Sequence, residues 1–330
     1  MSPAAGAAQA AGTGPVADPA AGSAGGLPRA AGPVGFVGLG NMGRRMAANL
    51  VAAGFALVVR DSDAGAQQRF IAGHGGEPAT APRSFAEAGV VVTMLPDSSA
   101  VREAILGWDG GIAAVLKPGA VVLDMSSSDP VGTKALAQDL APAGVRVIDA
   151  PVSGGITRAE AGTLSLMVGG QDEDAFAQAL PVLQTLGQRI FRTGPLGSGH
   201  AMKALNNFLG ASAYTTAVEA LAIGKEFGLD PRVMLDVVNS STGRSFNTEV
   251  VLKDDVVTGR YGTGFALGLL AKDVGIAAGL AEAVGVNAPA CQLVRDRWAE
   301  AAAGLGFAAD HSEAHKQWWT IDLAADRDPG

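Results

Sequence analysis

Short apolar runs alternate with longer, helix-patterned stretches through the first half of the chain. Residues 34–37, 55–59, 89–95, 120–125 and 145–148 each read as a buried strand, since a brief unbroken apolar run suits a strand covered on both faces. Helical stretches lie between these runs, and regular strand–helix alternation predicts a doubly wound parallel α/β sheet. The pattern then changes. From residue 199 to 227, Ala, Leu and other helix formers continue with only Gly210 to weaken them, and nothing stops the helix before Gly228. Asp230-Pro231 signals another helix start, and Ala-rich helical segments follow as far as Trp319 without further strands.

This pattern divides the chain into an α/β domain over 33–194 and an all-α domain over 195–322, joined by a long linking helix. Residues 1–32 are almost entirely Ala, Gly, Pro and Ser, too poor in large apolar groups to offset ordering entropy, and are expected to form a disordered tail, with a second tail at 323–330. At 330 residues and 48% hydrophobic, the rest is long and apolar enough for two packed domains. A formal net charge of -8 without a Lys/Arg cluster argues against nucleic acid and anionic lipid as partners. No apolar run approaches the ~20 residues that a membrane-spanning helix needs. Cys291 is the only cysteine, so no intrachain disulfide can form, and a reducing compartment, the cytoplasm, is expected.

The strongest chemical signal is Gly38-Leu39-Gly40-Asn41-Met42-Gly43, placed between the first strand and a helical stretch. Gly38 suits a tight turn, Gly40 a close backbone approach to a pyrophosphate, and Gly43 close helix–strand packing, with the phosphates meeting the helix N-terminus. Such a turn marks a Rossmann-like dinucleotide site. Asp61 ends the second strand 23 residues after Gly38, where a carboxylate can accept hydrogen bonds from the adenosine ribose. The next residue is Ser62 rather than the Arg that a 2′-phosphate would want, so NAD is favoured, while Arg60 and Arg69 keep NADP as the alternative. A mere helix-capping role for Asp61 is the competing explanation. Ligands of such sheets lie beyond the carboxyl ends of the strands, here at Leu95-Pro96, Ser126-Ser127 and residues 149–155.

In the second half, Lys203 and Asn207 lie four apart on one helix face among apolar neighbours. A desolvated lysine loses its charge more readily and could carry a proton, although a solvated lysine is the commoner case. Lys272-Asp273 interrupts an otherwise apolar segment, so these charges must be paired, solvent-facing or engaged with a ligand. His311, Glu313 and His315 could share a helix face, but lack a third strong ligand and zinc-protease spacing; no metal is assigned, and a solvated terminal helix is expected.

Four segments in order resemble the β-hydroxyacid dehydrogenase family, which includes 3-hydroxyisobutyrate dehydrogenase and tartronate semialdehyde reductase. They are Gly35-Phe36-Val37-Gly38-Leu39-Gly40-Asn41-Met42-Gly43; Asp149-Ala150-Pro151-Val152-Ser153-Gly154-Gly155 with Gly162-Thr163-Leu164; Lys203-Ala204-Leu205-Asn206-Asn207; and Ala271-Lys272-Asp273. The resemblance implies Lys203 as general acid/base and Asn207 as substrate-orienting, with Ser153, Gly154 and Gly155 holding a substrate carboxylate. It implies cofactor contacts at Gly38, Gly40, Asn41, Met42, Gly43, Asp61, Leu95, Pro96, Ser127 and Lys272. The implied reaction moves hydride between a small β-hydroxy acid and NAD(P). Relatives often carry Asp-Ser-Ser-Thr where this chain has Asp124-Met125-Ser126-Ser127, so the hydroxyl is kept beside a changed neighbour. Reduction of a semialdehyde or imine, and a non-catalytic dinucleotide-binding scaffold, are the competing readings. Retention of Lys203 argues against the scaffold, and the chain is shorter than 6-phosphogluconate dehydrogenase, with which it shares the glycine turn and the Lys-Asn helix. Apolar faces on the Ala-rich helices point to a homodimer or homotetramer.

Overall fold

Strand β1 (Val34–Val37) is buried along its whole length, and the sheet grows outward from it. In the computed structural model, which describes residues 32–320 together with Asp322 and Leu323, β1 pairs in parallel with β2 (Leu57–Arg60) on one side. The short β3 (Glu77–Pro78) forms the edge beyond β2. On the other side of β1 come β4 (Val90–Thr93), β5 (Val121–Asp124) and β6 (Arg146–Asp149), all parallel. Of the tails expected at 1–32 and 323–330, only Gly32 and Leu323 lie among the described residues, and Leu323 is buried rather than part of a tail.

Helices cover both faces because each strand presents apolar side chains to both. Helix α1 (Gly43–Ala52) inserts Met46, Ala47 and Leu50 beside Phe36 and Val59, and α2 (Ala64–His74) adds Phe70 to the same core. The opposite face packs Val37, Val58 and Val91 with Val101 of α3 (Ser98–Arg102) and Leu136 of α4 (Pro130–Leu140). Fully burying such side chains stabilises by about 1.5–3 kcal/mol each. The carboxylates of Asp63, Asp97 and Asp129 accept backbone N–H bonds that start α2, α3 and α4.

The sheet extends further than its sequence pattern suggests. After β6 come β7 (Val152–Ser153), α5 (Gly155–Glu160), β8 (Leu164–Gly169), α6 (Glu173–Leu186) and β9 (Gly187–Gly194). The order is β3-β2-β1-β4-β5-β6-β8-β7, with β9 on β8; β8 runs antiparallel to β6 and β7, and parallel to β9. Strands β1 to β6 form the expected parallel sheet, and the antiparallel pairing of β8 with β6 and β7 makes the sheet as a whole mixed.

The chain divides into two compact units, one through His200 and one from Ala201 onward. Helix α7 (Ser198–Phe227) begins in the first: Asp149, at the end of β6, accepts the N–H groups of Gly197 and His200 at 2.7 and 2.8 Å. A Cβ on Gly199 would overlap the Met167 carbonyl, so glycine lets this turn sit against β8. The helix ends before Gly228, whose φ of +100° is a left-handed stop.

The second unit contains most of α7, then α8 (Pro231–Asn239), a π-helical segment (Asn247–Val256), α9 (Leu267–Ala283), α10 (Pro289–Leu305) and the short α11 (His315–Trp318). Tyr214 and Trp298 are fully buried at its centre, where the Tyr214 hydroxyl donates to the Ser312 carbonyl at 2.7 Å and the Trp298 indole donates to Thr215 Oγ1 at 3.0 Å. His311 and His315 are buried in this aromatic cluster rather than solvated. His311 Nδ1 lies 2.9 Å from Thr263 Oγ1, and His315 Nδ1 lies 3.0 Å from the Tyr214 hydroxyl. Among the described residues, no helix is long and apolar enough to cross a membrane.

Candidate active site

In the first unit, the fold itself demands two of the three motif glycines. Gly38 has φ +100°, and a Cβ there would overlap the Met94 carbonyl; a Cβ on Gly43 would overlap the Gly38 carbonyl. Gly40 is different: it is exposed, and an added Cβ would meet nothing within 4 Å. The protein's own packing gives no reason for glycine at this position. Asn41 is exposed beside it and accepts a 3.0 Å hydrogen bond from Arg44, while Met42 precedes α1 and packs partly on the core.

Asp61 is tied to the same turn. Its Oδ2 accepts the Leu39 N–H at 2.6 Å and its Oδ1 accepts the Asp63 N–H at 2.8 Å, whereas the cap of α2 is Asp63. The capping role for Asp61 is thereby replaced: it brings the end of β2 to the glycine turn. A cavity of about 720 Å³ opens beside it, bounded by Arg60, Ser62, Gln67, Ile71 and Trp108.

Past the ends of β4 and β5, buried Asp124 organises the loops. Its Oδ1 accepts Thr93 Oγ1 at 2.8 Å and the Ser126 N–H at 3.0 Å, and its Oδ2 accepts Ser128 Oγ at 2.8 Å. The Leu95 N–H donates to the Ser126 hydroxyl at 2.9 Å, so Ser126 is structural. Pro96 is exposed and Ser127 half-buried at these loops. Ser153 ends β7, and Gly154 and Gly155 follow with φ of +134° and +65°, a backbone that side-chain-bearing residues rarely adopt.

In the second unit, Lys203 and Asn207 of α7 meet a charged pair from α9. Asn207 is buried and donates through Nδ2 to Asp273 Oδ2 at 2.6 Å; Lys272 Nζ lies 3.0 Å from Asp273 Oδ1. Burial pushes the half-buried Lys203 ammonium below the usual lysine range and Lys272 adds to this, while the Asp273 carboxylate pulls the other way. The charges interrupting the apolar segment are therefore paired. Asp273, noted in the sequence without a role, anchors Asn207; its separation of 66 residues from Asn207 hides the contact from any local pattern.

Two family models divide the chain. The NAD binding domain of 6-phosphogluconate dehydrogenase matches residues 33–194, and the NAD-binding domain of NADP-dependent 3-hydroxyisobutyrate dehydrogenase matches residues 197–318. The chain belongs to the β-hydroxyacid dehydrogenase family. As a β-hydroxyacid dehydrogenase it is an oxidoreductase acting on CH–OH, with NAD or NADP as cofactor. It is 38% identical to 3-hydroxyisobutyrate dehydrogenase of Pseudomonas aeruginosa over 271 residues, 80% of this chain and 90% of that one. It is 36% identical to 2-(hydroxymethyl)glutarate dehydrogenase of Eubacterium barkeri over 245 residues, 74% and 80% of the two chains. The solved structure of Mycobacterium tuberculosis 3-hydroxyisobutyrate dehydrogenase with L-serine superposes with a TM-score of 0.78 at 31% identity, covering 87% of this dehydrogenase and 99% of that chain.

Proposed function

We propose that this dehydrogenase oxidises a small β-hydroxy acid of the 3-hydroxyisobutyrate kind, with Lys203 as its general base. The observation that carries this reading is the placement of Lys203 one helical turn from Asn207, which Asp273 anchors at 2.6 Å, with burial lowering the lysine's pKa. A lysine that loses its proton nearer neutrality can accept the substrate hydroxyl proton at Nζ and return it in the reverse reaction. Asn207, held by Asp273, orients the hydroxyl, and Ser153, Gly154 and Gly155 receive the carboxylate. The bound nicotinamide dinucleotide supplies the hydride acceptor. Open space at Gly40 fits the pyrophosphate, and Asp61 fits the ribose hydroxyls, which supports NAD over NADP. Asn41, Met42, Leu95, Pro96, Ser127 and Lys272 complete the proposed cofactor contacts.

In this reading residues 33–194 bind the dinucleotide and 195–322 contribute the proton carrier. Exposed apolar residues on α7 and α8, among them Leu209, Ile223, Phe227, Val233 and Val237, support a homodimer or homotetramer. The single, buried Cys291 supports a reducing compartment such as the cytoplasm.

A substrate panel tests the function: 3-hydroxyisobutyrate, 3-hydroxypropionate, serine, glycerate and threonate for oxidation, and cyclic imines for reduction, each with both cofactors. The reading predicts the highest kcat/KM with a β-hydroxy acid and NAD. Imine reduction without hydroxy-acid oxidation would refute it.

A further inference from the structure

The cavity beside Asp61 has one wall that the glycine motif does not explain. The guanidinium carbon of Arg60 lies 4.4 Å from the centroid of the Trp108 ring, and both residues line the cavity. Among the described residues Arg60 makes no ion pair, and the carboxylate next to it in sequence, Asp61, already accepts the Leu39 and Asp63 N–H groups. Trp108 also touches the core. Its ring meets Phe85 edge-on at 6.3 Å, and Phe85 is fully buried.

This pair brings a flat aromatic ring and a flat, weakly hydrated cation to an otherwise largely apolar recess formed by Ile71, Ala72, Pro78 and Ala79. Such surfaces bind flat, electron-rich rings by stacking, with the cation contributing through the ring face. Asp61 lines the same cavity, so with the ribose hydroxyls on its carboxylate the attached base has this recess beside it. We propose that Trp108 and the Arg60 guanidinium that covers its ring together form the adenine-binding wall of the dinucleotide site. The inference rests on Asp61 receiving the adenosine ribose, and it adds a residue from the α3–β5 connection that no dinucleotide motif includes.

Calorimetric binding of NAD, NADP, AMP and nicotinamide mononucleotide to the full chain tests the proposal, using wild type, Trp108→Ala, Trp108→Phe and Arg60→Ala, with melting curves confirming that each variant is folded. Trp108→Ala is expected to weaken NAD and AMP in parallel by about tenfold, leaving nicotinamide mononucleotide unchanged, while Trp108→Phe retains most of the affinity. Arg60→Ala is expected to weaken NAD and NADP equally. Wild-type affinity for AMP in folded Trp108→Ala would overturn the proposal and leave the dehydrogenase reading intact. Loss of NADP binding alone in Arg60→Ala would also overturn it, since Arg60 would then read a 2′-phosphate. Failure of wild type to bind NAD would overturn both the proposal and the reading beneath it.

Discussion

Gly40 and Gly43 stand three residues apart in one turn and are glycine for different reasons. A Cβ on Gly43 collides with the Gly38 carbonyl, whereas one on Gly40 points into open space. Gly43→Ala should therefore destabilise the fold by about 2 kcal/mol, the usual cost of forcing extra atoms into a packed site. Gly40→Ala should melt as wild type does but bind NAD at least ~10-fold more weakly, because only the ligand needs that space. Thermal melts paired with calorimetry check both, and a Gly40→Ala protein with wild-type NAD affinity would contradict the assignment. This turn was legible in the sequence because its chemistry is local. Lys203 was not legible in the same way: burial lowers its pKa and Asp273 opposes the shift from 70 positions along the chain. Only its resemblance to a family marked it out.

At the scale of elements, legibility followed the length of the apolar run. Strands β1 to β6 were read to within a few residues, apart from two-residue β3, and α7 was read almost to its limits at Ser198 and Phe227. Strands β7 to β9 escaped. Two residues make too short a run for β7, and β9 carries Gln188, Arg189 and Arg192 on an exposed edge that looks polar. The terminal histidines escaped for a related reason, since their partners Tyr214 and Thr263 come from distant segments. Burial lowers the His315 pKa from 6.5 to about 4. The unfolded chain therefore binds a proton near pH 6.5 that the folded chain refuses until about pH 4, so stability is full above 6.5 and falls as the pH drops through this window. The loss from pH 7 to pH 5 should be about 2 kcal/mol from this group. Urea unfolding at the two pH values measures it, and His315→Gln should reduce the slope, the remainder lying with His311, whose pKa burial also lowers.

The whole molecule joins a dinucleotide-type sheet to a helical unit that carries an anchored lysine, and the proposed chemistry needs a contribution from each. Its broad plan was legible because strand–helix alternation gives way to helices alone; the mixed edge of the sheet and the burial of Leu323 were not, because both depend on packing between distant segments. The apolar stripe on α7 and α8 predicts that the protein in solution has the mass of a dimer or tetramer, and a monomeric mass by light scattering would refute that assembly. The central claim is that Lys203 carries the proton in hydroxy-acid oxidation. Its most direct test follows the absorbance of reduced nicotinamide with 3-hydroxyisobutyrate and NAD, for wild type and for Lys203→Ala shown by calorimetry to bind NAD equally well. Turnover in the variant should fall by about a thousandfold, the range expected for removing a positioned general base; turnover close to that of wild type would contradict the account.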